Sequence, residues 1–591
     1  YGYRGEHEID SNHAPDYIAD TKSPDKYPKS SETRAYWEEQ VFENVLSFNK
    51  QIQKHSINAM LGTSLTSRKY NWSSVGVEGK TIVYKVENGQ LQQSEKAAGF
   101  LDSSFATIGA GAGGTFSGDG SCWKYNRASF FGRLNYNFND RYLFQFTFRE
   151  DGSSKFGADS RWGFFPSVAV GWRISEEPFF PKNTVISNLK FRASWGQLGN
   201  ENALGYYDFL ALISTYNDLY QGYVQGSGSS AWPGSIARGL ENRSLKWETT
   251  DTKNIGFDFG FFNNHLSGNV NYYINETRDL LITRKLAPSA GLANPTLNVG
   301  KMRNQGFELE LNWNDKVSDF EYNVGFNLST VSNKVVSLAN EDQTIYGMGL
   351  KYGSEHFPTQ TKVGKPIGAF YLYQADGIFQ NMDEVNAYKN KDGKLLQPNA
   401  QPGDVRFKDM NGDGVIDEDD KTYSGTGIAK VEANLNLSAS YKGFDFSAVI
   451  GSAFGNKIYN GIRYYYEGMN SASNFLSSTL DAWTPTHTNT SVPRAIYGDP
   501  NDNTRESTRF LENGDFVRLR QVQLGYTLPT SLVKKIYCDR IRFYVSAENV
   551  FTITGYSGAN PEFSMGVLNS GIDRFTYPFS RSYTVGAQVS F

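Results

Sequence analysis

Apolar and polar positions alternate along most of this 591-residue chain. At its end, Tyr583, Val585, Ala587, Val589 and Phe591 share one parity, and Ser582, Thr584, Gly586, Gln588 and Ser590 the other. A period of two marks a strand with one apolar and one polar face. The pattern recurs from Leu134 to Phe138, Tyr142 to Phe148, Val168 to Ile174, Ile255 to Phe261, Leu266 to Ile274, Phe307 to Trp313 and Tyr322 to Leu328. It returns from Leu435 to Tyr441, Phe444 to Ile450, Val522 to Leu528 and Ile541 to Ala547. We count about 15 strands, with a partial one at Tyr1–Gly5.

The connections sort into two kinds. Short ones fall at 139–141, 263–265, 314–319 and 442–443, with somewhat longer ones near 176–187 and 529–540. Long ones cover about 69–127, 197–246, 279–303, 334–431, 454–514 and 554–580. Short turns on one rim and long loops on the other predict an all-β, transmembrane antiparallel barrel, with periplasmic turns and extracellular loops. In lipid every backbone polar group must be paired within the protein, so only helices and closed barrels span. A soluble β-sandwich also has half-buried strands, but nothing in it sorts loops by length.

Composition fits that picture. The chain is 15% aromatic and has 58 glycines, yet only 39% of residues are hydrophobic. No run reaches the roughly 18 apolar residues of a spanning helix. A barrel wall needs only every second residue apolar, and aromatics supply its interfacial girdles. Charge is nearly balanced, 58 basic against 62 acidic residues, with no basic excess to suggest a nucleic-acid partner. Cys122 and Cys538 lack metal-type spacing, and six histidines are scattered. No catalytic constellation stands out, so no enzyme is expected. The Gly109–Gly120 stretch has no GK[ST] ending and reads as an extracellular loop. Glu248, Asp251 and Asp258 read as lumen-facing or solvated charges.

Two local features carry candidate chemistry. Asp409–Asp420 has the spacing of a calcium loop, with Gly414 at the sixth position. Its candidate ligands are Asp409, Asn411, Asp413, Asp417 and Asp420, plus the Val415 carbonyl, giving a structural Ca2+ inside the 334–431 loop. The twelfth residue is Asp where Glu is usual, which shortens its reach. The competing reading is a turn closed by Asx hydrogen bonds. Aromatics gather in the long loops: Tyr206, Tyr207, Tyr220, Trp232, and Tyr464-Tyr465-Tyr466. They either contact substrate or a partner, or pack the loops together.

Several segments resemble the SusC-like (SusC/RagA-type) family of TonB-dependent outer-membrane transporters of Bacteroidetes. They are Phe148–Phe156, Trp162–Ser167, Arg192–Asn200, Leu245–Thr250, Asn304–Glu308, the Asp409–Asp420 loop, Ala547–Phe551 and the C-terminal strand. The resemblance implies a 22-stranded barrel with an N-terminal plug, in the outer membrane of a Gram-negative bacterium. It also implies a SusD-like lipoprotein lid and energy from TonB–ExbB–ExbD. The expected cargo is an oligosaccharide or peptide. On that resemblance, residues 1–591 are expected to be the C-terminal part of such a barrel, without leader, plug or about six strands. A passive porin-like channel and a structural scaffold in a larger envelope complex are the alternative functions.

Overall fold

The computed structural model describes residues 2–10, 29–78, 80–87, 90–97, 108–110, 115–181, 185–211, 213–215, 224–225, 232–233, 235–237, 239–283, 294–339, 343–350, 356–469 and 474–591. Its principal element is a 17-stranded sheet, in which neighbouring strands run antiparallel. The meander runs β1 (Gly2–Asp10), β2 (Lys29–Ile52), β3 (His55–Glu78), β4 (Thr115–Phe138), β5 (Tyr142–Ser153), β6 (Trp162–Arg173), β7 (Ile186–Asn200) and β8 (Glu248–Phe261). It continues through β9 (Leu266–Thr283), β10 (Thr296–Val317), β11 (Phe320–Thr330), β12 (Val431–Tyr441), β13 (Phe444–Phe454), β14 (Phe516–Thr527), β15 (Arg540–Thr554) and β16 (Ser582–Ser590). Each strand pairs with the next. Ser332–Ser337 extends the β11 flank of β10. Among the described residues, no pairing joins β1 to β16.

The register separates the two faces. Phe48, Ala59, Leu134, Phe146, Val168 and Trp195 lie side by side across β2 to β7. Phe257, Val270, Leu309 and Leu328 continue that face across β8 to β11. The opposite parity carries ion pairs: Arg192 and Lys190 with Asp258 at 2.7 and 3.3 Å, and Arg542 with Asp445 at 2.5 Å. This is an outward apolar wall around a polar lumen. Among the described residues, no helix is long and apolar enough to cross a membrane.

The apolar band has a sharp upper edge. On β9 the outward parity runs from Leu266 to Ile274, nine residues, as a tilted spanning strand requires. The next outward position is Glu276, in register with Asp251 and Arg303. Glu276 pairs with Lys301 and Arg303, both at 2.7 Å, and Arg278 lies 3.4 Å from Asp251. Asp251 therefore faces outward above the band, while Asp258 faces the lumen as expected.

The short turns and long loops lie on opposite rims. Turns occupy 53–54, 139–141, 174–185, 262–265, 318–319, 442–443 and 528–539. The expected strand number holds, but not every boundary. The sequence pattern left residues 29–68 without a strand and read 69–127 as loop. The structure places 24-residue strands β2, β3 and β4 there. At ~3.3 Å per residue each reaches roughly 80 Å, far beyond a bilayer. Gly118 and Gly120, expected in an extracellular loop, lie inside β4.

The described residues of three long loops, 331–430, 455–515 and 555–581, are folded rather than trailing. Ile345–Tyr346, Thr359–Thr361, Ala369–Leu372 and Thr422–Thr426 form one small sheet. Lys457–Asn460, Leu511–Asn513 and Ile572–Asp573 form another. Leu350, Phe370, Leu372, Tyr459, Tyr464, Phe510 and Ile572 make a common core. Asp404, fully buried, is gripped by Arg494 at 2.8 and 3.0 Å and by Asn503 at 3.0 Å.

Candidate functional site

Three of the segments that resemble SusC-like proteins, Phe148–Phe156, Trp162–Ser167 and Leu245–Thr250, meet at one place on the extracellular rim. Phe156, Phe165, Leu204, Leu245 and Trp247 form a buried cluster. They derive from the ends of β5, β6 and β7 and from the approach to β8. The Trp247 indole donates to the Arg161 carbonyl at 3.1 Å. Arg149 reaches Asp151 at 2.7 Å and Ser129 at 2.9 Å on the inner face. Lys155 donates to the carbonyls of Glu201 and Leu204 at 3.2 and 2.9 Å. Tyr125 donates to Glu201 at 2.5 Å, and burial, with that bond second, raises its phenol well above the ordinary value.

This latch fixes the segment after β7 and thereby Tyr206. The Tyr206 ring stacks on Trp123 at 4.0 Å, and Trp123 stacks on Tyr70 at 5.2 Å. Lys155 lies 5.2 Å from the Tyr206 centroid. Tyr70 and Trp123 face each other in register on the lumen-facing parity of β3 and β4. Their stretch of strand lies beyond the apolar band, so the stack lines the mouth of the barrel. Tyr207 is exposed, and its hydroxyl accepts the Lys124 N–H at 3.2 Å. Sequence reading missed Tyr70 and Trp123. The signal available was their polar-flanked aromatic spacing across the two long strands. Tyr220 and the side chain of Trp232 lie outside the described residues.

The tyrosine triplet divides. Tyr464 is buried in the loop-domain core, which corrects its reading as a contact residue: its ring fills space beside Phe510 and Tyr459. Tyr465 and Tyr466 pack at 5.6 and 5.4 Å on the exposed Phe575. Tyr465 also donates to the Leu350 carbonyl at 2.8 Å. They form a partly open aromatic patch on the loop domain.

The Asp409–Asp420 loop is closed by its own side chains. Asp409 accepts the N–H groups of Gly412 and Gly414 at 2.6 and 2.9 Å. Asp420, fully buried, accepts those of Met410 and Asp417 at 2.6 and 2.9 Å. Asn411, Asp413 and Asp417 each accept the N–H two residues on, from Asp413, Val415 and Asp419, all at 2.9 Å. Gly414 has φ +91°, the left-handed turn its position demands. Among the described residues, no three acidic, histidine or cysteine side chains converge as a ready metal centre.

The family described as TonB dependent receptor-like, beta-barrel matches residues 3–550. TonB-dependent receptor SusC of Bacteroides thetaiotaomicron is 32% identical over 470 residues, 78% of this chain and 43% of that protein. TonB-dependent receptor P3 of Formosa agariphila is 29% identical over 559 residues, 93% of this chain and 52% of that protein. The chain thus spans about half the length of the curated relatives it matches. A structure of the RagAB peptide transporter superposes with a TM-score of 0.76 at 24% identity, over 96% of this chain and 57% of that one, a likeness of fold. With its sorted loops, two-faced strands and this match over nearly its whole length, the chain belongs to the TonB-dependent receptor-like β-barrel family, as a SusC-like barrel of the outer membrane.

Proposed function

We propose that this chain forms most of the barrel and the extracellular mouth of an energy-coupled nutrient importer. The observation that carries this is the family match over residues 3–550, set on a barrel whose long loops build a folded extracellular domain. A plain diffusion pore has no use for such a domain. The importer takes up oligosaccharides or peptides, with a SusD-like lipoprotein as lid and TonB–ExbB–ExbD supplying force from the inner membrane. SusC and RagAB, the relatives named above, support that reading. The stack at Tyr206, Trp123 and Tyr70 and the Phe575 patch are where cargo or lid meets the barrel.

The test is uptake of labelled oligosaccharide and peptide pools by cells carrying the full-length protein. Import should stop when the lid is deleted or the proton gradient is collapsed. Uptake that persists under both conditions, with open-channel conductance in bilayers, returns the passive-channel reading.

We further infer that Asp409, Asn411, Asp413, Asp417, Asp420 and the Val415 carbonyl hold a structural Ca2+. Each carboxylate oxygen that accepts one N–H keeps lone-pair capacity for a hard cation. Calcium should raise the unfolding temperature of EDTA-stripped protein, and Asp413→Ala should abolish that rise. An unchanged transition leaves the loop held by Asx bonds alone.

A further inference from the structure

The seven periplasmic turns are of two sorts. Five have two to four residues, as tight hairpins do. The other two, 174–185 and 528–539, have far more chain than the connection needs. The described residues of both fold back onto the outward wall.

In 528–539, Thr530–Val533 is helical and Lys534–Ile536 continues as a 3-10 turn. Val533 packs against Leu528, Cys538 and Ile541. Ile541 shares the parity of Phe543 and Val545, and Leu528 that of Leu524 and Tyr526, which register together on the outer face. The helical turn therefore covers lipid-facing wall and leaves the lumen alone. Its free side presents Leu532, Ile536 and Tyr537, exposed by 52, 58 and 93%, with Lys534 and Lys535 beside them. Tyr537 sits at φ +57°, a left-handed backbone held by the Cys538 N–H bonding to the Val533 carbonyl at 3.1 Å. Contacts among the described residues do not explain why an aromatic ring is held out there.

Residues 174–181 repeat the arrangement. Glu177 accepts the Tyr142 hydroxyl at 2.6 Å and the Trp172 indole N–H at 3.0 Å, with Arg141 at 3.4 Å. Tyr142 and Trp172 are in register, on the parity of Phe144 and Val170, the outer face. Glu177 thus straps this turn to the outside of β5 and β6. Phe179 meets the Trp172 ring edge-on at 6.5 Å and is 68% exposed.

We propose that these two turns are interfacial anchors, seated among the phospholipid headgroups of the periplasmic leaflet. Leu532, Ile536, Tyr537 and Phe179 reach the apolar boundary, and Lys534 and Lys535 meet lipid phosphates. The surface is continuous with the apolar band. Exposed aliphatic and aromatic residues beside lysines suit a headgroup layer carrying anionic lipid. Six strands, β8 to β13, separate the two anchors, so they hold the barrel's lower rim at two places.

Spin labels on the full-length protein test this, in a Cys122→Ser/Cys538→Ala background reconstituted in phosphatidylethanolamine and phosphatidylglycerol vesicles. Labels go at Leu532→Cys, Ile536→Cys and Phe179→Cys. Leu524→Cys on the outward wall and Leu480→Cys on an extracellular loop serve as references. The readout is the ratio of relaxation by oxygen to relaxation by a water-soluble nickel chelate. The three turn labels should exceed the Leu480 ratio severalfold and approach that of Leu524. Ratios equal to Leu480, with Leu524 reading lipid, overturn the anchors while leaving the barrel intact. Leu524 reading water would overturn the orientation of the wall, and the anchors with it. Lys534→Glu with Lys535→Glu should lower the Ile536 ratio, and an unchanged ratio removes the lysines from the proposal.

Discussion

Glu512 accepts four hydrogen bonds in the loop domain, from the Ser557 N–H and hydroxyl at 2.8 Å, Asn460 at 3.0 Å and Arg463 at 3.1 Å. Burial pushes its pKa up, but these donors outweigh it and hold the carboxyl below its usual range. The unfolded chain, with a glutamate pKa of about 4.3, binds that proton more tightly than the folded one. The bonds therefore stabilise the loop domain fully above about pH 4.3, and the contribution fades as pH falls through the folded value. Protection of the Leu511–Asn513 amides relative to their intrinsic exchange rates should fall between pH 6 and pH 3, and Glu512→Gln should flatten that dependence. At this scale the sequence was only partly readable. The DxNxDG spacing marked the 409–420 loop, because Asx bonding is local. Nothing local told Tyr464 from Tyr465, since one faces a core assembled from loops more than a hundred residues apart.

Strands within the lipid band were legible and those above it were not, for one physical reason. Inside the band one face meets lipid and the other water, so a period of two is imposed on the sequence. Above it both faces are wet. The outward row becomes Asp251, Glu276, Arg303 and Lys334, and the alternation disappears although the pairing continues. The upper parts of β2 and β3, rich in Ser, Glu, Lys and Arg, show the same loss of contrast. Close approach is the other feature that pattern does not reveal. Where β11 ends, the Phe307 N–H is bonded by the Thr330 hydroxyl at 2.8 Å and the ladder is interrupted. The Thr330 carbonyl then lies 1.8 Å from where a Cβ on Gly306 would sit, and Tyr273 crosses over Gly306 to donate to that carbonyl at 2.9 Å. Only a glycine fits there. Gly306→Ala should destabilise the β10–β11 pairing by ~1–3 kcal/mol, as overpacking does. Gly239→Ala, with nothing within 4 Å, should be neutral. Heat-shifted electrophoretic mobility of the folded barrel would compare the two.

At the scale of the molecule the decisive feature is the pair of unpaired edges. β16 gives one flank to β15 and β1 gives one flank to β2, and their other flanks meet no strand among the described residues. Each has nine residues, so roughly half of its backbone N–H and C=O groups point outward from the sheet. β1 pairs only with Lys29–Trp37, above the apolar band, so at band height the open flank on that side is the part of β2 that follows Trp37. In lipid an unmet group costs on the order of 1–3 kcal/mol or more, so neither that flank of β2 nor β16 can stay open in a stable spanning wall. Closure needs either that these two flanks meet each other or that each is covered by a strand outside the described residues. Refolded alone in vesicles, the 591-residue chain should give no heat-resistant monomer, and amides of Ser582–Ser590 should exchange as in an open edge. Supplying strands that cover both flanks should slow that exchange and produce the heat-shifted form. A heat-resistant monomer from these residues alone would mean that the two flanks pair directly, and the barrel would then be porin-sized.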